Sequence, residues 1–63
     1  MKRFSIGQKW VTSDTVYGEV IEVFDEGESG ILIITDEHGE MLDTFNGSAA
    51  DFQATGEWEL VDE

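Results

Sequence analysis

Residues 30–45 read GILIITDEHGEMLDTF, and the fold follows from them. Ile31 to Thr35 is the densest apolar and β-branched run of the chain, a composition that suits a pleated, partly buried surface. Met41 to Phe45 answers it across Asp36-Glu37-His38-Gly39-Glu40. Two extended runs joined by a short polar segment that carries a glycine predict a β-hairpin. A type I turn closed by a residue of positive φ puts Gly39 at the closing position, where a Cβ would clash. The run Ile31 to Ile34 is continuous rather than alternating, which predicts a central strand covered on both faces. A contact between copies of the chain would leave the same pattern.

The rest of the chain arranges itself around this pair. Upstream, Val16 to Phe24 (VYGEVIEVF) is the longest strand. Strict alternation fails inside it, because Val20 and Val23 stand an odd number of residues apart and cannot share a face of an unbroken strand. A bulge near Ile21-Glu22 would reset the register, and Gly18 marks a bend or a close backbone approach. Gln8 to Thr12 forms an earlier strand, with Trp10 and Thr12 on one face, and Ser13-Asp14-Thr15 is the turn after it. Met1 to Gly7 is a lead-in that can place one side chain in the core. Asp25-Glu26-Gly27-Glu28-Ser29-Gly30 reads as an exposed acidic loop. Downstream, Asn46-Gly47 ends the fourth strand. Ser48 to Thr55 reads as a short helix or 3-10 turn, with Ser48 as its cap, Asp51 three residues on, and Gly56 as a left-handed stop. Glu57 to Val61 is a last, half-buried strand, with Trp58 and Leu60 on one face and Glu57 and Glu59 on the other.

The expectation is one all-β domain over residues 1–63, a five-stranded small barrel with a short helical or 3-10 turn before the last strand. This order resembles the SH3-like small barrels, in which a meander of four strands and a 3-10 turn lead to a fifth, closing strand. The stretch from Gly18 to Val23 looks like the second strand of several such families, Tudor-like and KOW-type modules among them. The likeness spans nearly the whole chain and lies in strand order. The ALYDY-like motif of peptide-binding SH3 domains is absent, and KOW modules are usually basic. What the resemblance implies is a barrel with two or three aromatics open on one face, where extended peptides or cations bind. Trp10 and Tyr17 are the candidates for that role.

Charge is the dominant compositional signal. Fifteen Asp and Glu stand against Lys2, Arg3 and Lys9, a net of −12. From Trp10 onward there is no Lys or Arg. Direct binding to nucleic acid rests on phosphate neutralisation by cations and is disfavoured. An anionic membrane surface is disfavoured for the same reason. Basic protein or peptide partners, and partners that themselves bind nucleic acid, are favoured by long-range attraction. There is no Cys, hence no disulfide and no thiolate site, so stability must come from an apolar core or from oligomerisation. No apolar run approaches the ~20 residues of a membrane-spanning helix. Met1-Lys2-Arg3 is not followed by the apolar segment of a signal peptide, and cytoplasm is the expected compartment.

No cluster meets a specification for catalysis, metal or cofactor binding. Glu22 and Asp43 are the carboxylates in apolar context, and both read as edge or bulge positions facing water, since a lone ionised carboxylate is rarely buried. Asp36-Glu37-His38-Gly39-Glu40 surrounds a glycine with ligand-type side chains but does not match a calcium loop. His38 falls at a turn tip. The acids that could face a partner are Asp25, Glu26, Glu28, Asp36, Glu37, Glu57 and Glu59. Imitation of nucleic acid turns on charge density. A fold of this mass exposes roughly 4,000 Å² and carries one net charge per ~340 Å², whereas duplex DNA carries one per ~110 Å². A mimic would need its acids on one side.

The expected function is that of a small, acidic, non-enzymatic protein-binding module without a cofactor, an accessory regulator or inhibitor of a basic partner in a bacterium or a phage. Its short length and its start at Met1 fit a stand-alone factor. A homo-oligomeric structural subunit paired through Ile31 to Ile34 and a DNA mimic are the alternatives.

Overall fold

The computed structural model describes residues 2–13 and 15–61. Asp14, in the turn after the first strand, lies outside the described residues, as do Met1, Asp62 and Glu63. The chain runs β1 (Lys9–Thr12), β2 (Val16–Phe24), β3 (Ser29–Thr35), β4 (Met41–Ser48), α1 (Ala49–Ala54) and β5 (Glu59–Leu60). All neighbouring strands are antiparallel, in the order β4-β3-β2-β1-β5. The protein is thus mostly β, as its sequence predicts, but the sheet is open. Its outer strands, β4 and β5, share no rung.

Register explains the irregular pattern of β2. Val20 lies opposite Leu32, Glu22 opposite Ile31 and Val23 opposite Gly30, so one extra residue, Ile21, is accommodated in β2. This bulge lets Val20 and Val23 both reach the core. Directly opposed residues share a face. The inward rows are therefore Leu60, Trp10, Gly18, Ile34 and Asp43, then Val20, Leu32 and Phe45, then Val23, Gly30 and Gly47. The outward side of β3 carries Ile31 and Ile33, which are only half-buried. The expectation of a strand covered on both faces is corrected on this side. Leu32 is fully buried, whereas Ile31 and Ile33 meet Glu22, Glu19, Asn46 and Thr44 as cross-strand neighbours on the outward face.

Aromatic rings fill the concave side. Phe52 of α1 sits at the centre, with ring centroids 5.6 Å from Phe4, 5.6 Å from Trp10, 5.0 Å from Phe45 and 4.7 Å from Trp58. The Trp58 contact is stacked and the others are edge-on, both being favoured ring geometries. Residues 2–7 of the lead-in form no strand. They are strapped down by the Phe4 N–H donating to the Gly27 carbonyl at 2.8 Å and the Gly7 N–H donating to the Val20 carbonyl at 2.9 Å. The side-chain amide of Gln53 accepts from the Lys2 N–H at 3.0 Å and donates to the Lys2 carbonyl. Phe4 is thereby held in the core.

Two sequence boundaries move. β4 continues through Asn46 and Gly47 to Ser48, because Gly47 lies opposite Gly30 and under the Phe45 ring, 3.1 Å from where a Cβ would stand. β5 contracts to two residues. The acidic loop is also tighter than its composition suggests. Asp25, Glu26 and Gly27 all have left-handed φ, of 51°, 60° and 95°, and Gly27 is buried against Phe4.

The helix forms where its caps predict. The Ser48 hydroxyl accepts from the Asp51 N–H at 3.1 Å, and Gly56 takes φ +72° two residues beyond the last helical residue. At the β3–β4 turn, Gly39 takes φ +85° and donates to the Asp36 carbonyl at 3.1 Å. One Asp36 carboxylate oxygen accepts from the N–H groups of His38 at 2.8 Å and Glu40 at 3.0 Å. Asp36→Ala leaves both donors without that partner. It is expected to cost about 1–2 kcal/mol, read as a lower denaturant midpoint with an unchanged slope.

Candidate functional site

The described carboxylates lie at the surface. Asp36 is half-buried and the others are exposed. Among the described residues the one ion pair joins His38 Nε2 to Glu37 Oε1 at 3.6 Å, and no Lys or Arg lies within 4 Å of a carboxylate. The negative surface is therefore not neutralised from within. Its two loop clusters do not converge. Asp25, Glu26 and Glu28 precede β3 while Asp36, Glu37 and Glu40 follow it, so the seven residues of β3 hold them about 20 Å apart. Glu59 lies opposite Val11 on the outward face, and Glu57 is exposed just before β5.

Part of the sequence-predicted set does meet. Tyr17, Asp36 and Glu37 line one groove of about 320 Å³, together with Lys9, Glu19 and Thr35. β2 supplies Tyr17 opposite Thr35, and the hairpin turn folds its first two acids beside it. Tyr17 is half-buried. Trp10 does not join it. Its indole is 2% exposed, packed edge-on against Phe4 and Phe52, and its N–H donates to Gln8 Oε1 at 3.0 Å. The reason is register. Trp10 lies opposite Gly18 on the inward face, beneath α1, whereas Tyr17 lies opposite Val11 on the outward face.

A second concavity lies at the open seam of the sheet, between β4 and the approach to β5. Ile34, Phe45, Phe52 and Trp58 line it, with Asp43 and Asp51, in a volume of about 300 Å³. Phe45 shares the inward face of β4 with Asp43, while Asp51 and Phe52 come from α1. Asp43 is fixed in place because its carboxylate accepts its neighbour's N–H, from Thr44, at 2.7 Å. The carboxylate of Asp51 accepts no hydrogen bond from a described residue. Trp58 reaches over the sheet, its ring 3.5 Å from the position of a Gly18 Cβ. Sequence reading placed Asp43 correctly at a water-facing edge but did not join it to Asp51. The available signals were the two-residue spacing of Asp43 and Phe45, and the adjacency of Asp51 to Phe52.

Among the described residues no group of three or more His, Asp or Glu is placed to hold a metal ion. No described helix is long and apolar enough to cross a membrane. The fold and its surface define an open, five-stranded antiparallel β-protein with a strongly acidic exterior. No protein-family model, curated protein or solved structure matches the chain.

Proposed function

We propose that this chain is a non-enzymatic binding module for a basic protein or peptide surface, an accessory regulator or inhibitor of a nucleic-acid-binding partner. The observation that carries the reading is the exposed carboxylate surface with, among the described residues, no Lys or Arg in ion-pair contact. Such a surface attracts cationic partners over a Debye length, about 10 Å at 0.1 M salt. In this reading the architecture is that of an SH3-like small barrel left unclosed between β4 and β5. The groove of Tyr17, Asp36 and Glu37 offers an aromatic beside two acids, a combination suited to a Lys or Arg side chain. Separation of the two acidic loops across β3 favours a protein partner over imitation of a DNA duplex.

The experiment is capture from a bacterial lysate at low salt and again at roughly 0.5 M, followed by reconstitution with the purified partner. A basic partner that binds in defined stoichiometry and competes with nucleic acid is the expected result. Failure of every basic protein to bind at low salt overturns the reading. A second reading, self-association through Ile31 and Ile33, is favoured by their half-buried outward face. Light scattering on the same purified chain decides it, since a mass of twice 7.0 kDa supports self-association and the monomer mass removes it.

A further inference from the structure

We infer that the seam pocket between β4 and α1 is a receptor for a single arginine side chain presented by the partner. The inference rests on the reading of the chain as a module for basic partners, and it names the group that is recognised.

Three features of the pocket bear on its occupant. Its floor is aromatic and aliphatic, from Ile34, Phe45, Phe52 and Trp58, in about 300 Å³. Trp58 is half-buried and stacked on Phe52 at 4.7 Å and 26°, which holds the indole in the pocket wall. Among the described residues the two charged groups in the lining are both carboxylates, Asp43 and Asp51, and no Lys or Arg lines it. The Tyr17 groove differs here, because Lys9 stands among its acids. A neutral apolar ligand would leave two carboxylates to be desolvated without compensation. A phosphate or carboxylate ligand would meet like charge. A cation with an apolar stem satisfies both parts of the lining.

Arginine fits better than lysine. Its guanidinium is planar, stacks on aromatic faces, and is more weakly hydrated than an ammonium. It also offers donors on two sides to carboxylates. Asp43 accepts the Thr44 N–H on one oxygen, Oδ1, which leaves Oδ2 for the ligand. Asp51 supplies the second carboxylate from α1.

The test uses the full chain, isotopically labelled, titrated by NMR with short glycine-flanked peptides. One carries arginine, one lysine and one citrulline, which keeps the shape of arginine and removes its charge. The expected result is saturable binding of the arginine peptide, with shifts concentrated at Phe45, Phe52 and Trp58 and an affinity about tenfold above that for citrulline. Asp43→Asn retains an oxygen for the Thr44 N–H and so preserves the strand edge, and Asp51→Asn changes an exposed side chain. Each is expected to weaken arginine binding about tenfold, while Glu22→Gln, exposed on the outward face of β2 opposite Ile31, changes it less than about twofold. Equal binding of arginine and citrulline, or shifts confined to Tyr17 and Asp36, overturns the pocket and leaves the broader reading standing. No binding of either cationic peptide at low salt overturns both.

Discussion

Phe52→Ala is expected to leave the chain largely unfolded at 25 °C. Truncating a buried phenylalanine removes about 3–5 kcal/mol, and a domain of this size has roughly 3–9 kcal/mol in total. The site lies at the unfavourable end of that range because four aromatic rings lean on this one. Phe4, Trp10, Phe45 and Trp58 all lie within 5.6 Å of its centroid. They come from the lead-in, two strands and the approach to β5, so no single element can collapse into the space. Phe52→Leu keeps most of the volume and is expected to cost about 1–2 kcal/mol. Urea denaturation followed by tryptophan emission separates the two. A folded Phe52→Ala chain with a midpoint near that of the parent would show that α1 is not the keystone of the core.

Gly30→Ala is expected to cost about 3 kcal/mol or more, the upper end for overpacking. A Cβ there would stand 2.5 Å from the Glu22 carbonyl oxygen and 3.1 Å from the Phe4 ring. The first contact sets the new Cβ against backbone between two hydrogen-bonded strands, beside the β2 bulge. No rotamer change relieves it. Gly39→Ala provides the internal comparison. Its φ of +85° is unfavourable to alanine, but nothing lies within 4 Å of the new Cβ, so about 1 kcal/mol is expected. Thermal unfolding of the pair is the measurement. A Gly30→Ala chain as stable as Gly39→Ala would mean that β2 and β3 separate freely at the bulge.

What could be read in the sequence was local chemistry. Gly39 closes the hairpin because its turn needs positive φ, and Ser48 and Gly56 bracket α1 through a hydroxyl and a missing Cβ. The bulge at Ile21 was legible from the odd spacing of Val20 and Val23. What could not be read depends on which strands become neighbours. Trp10 and Trp58 have similar alternating contexts. Burial of one and half-exposure of the other follow from β1 lying within the sheet while Trp58 stands before an edge. Gly27 and Gly30 look like loop glycines, yet both are buried, because Phe4 returns to the turn across more than twenty intervening residues. The groove of Tyr17, Asp36 and Glu37 joins residues that the sequence itself offers as partner-facing. The seam pocket does not, since its two acids meet across an opening that strand order alone creates.

The pairing of β1 with β5 has a consequence for the order of events in folding. Every other rung joins strands adjacent in sequence, whereas Trp10 meets Leu60 from the far end of the chain. That contact closes a loop of nearly the whole protein, and its entropic cost falls before its contacts form. It is held by two rungs and by the Val61 N–H donating to the Lys9 carbonyl at 2.8 Å. The segment after α1 is expected to open in a sub-global step below complete unfolding, as hydrogen exchange at Val61 would show. Trp58 travels with it. One wall of the seam pocket thus belongs to a segment that joins the sheet through two rungs. Its lifetime in the closed state is set by a few hydrogen bonds and one ring stack, and a ligand that bridges Asp43 and Trp58 would lengthen that lifetime by mass action.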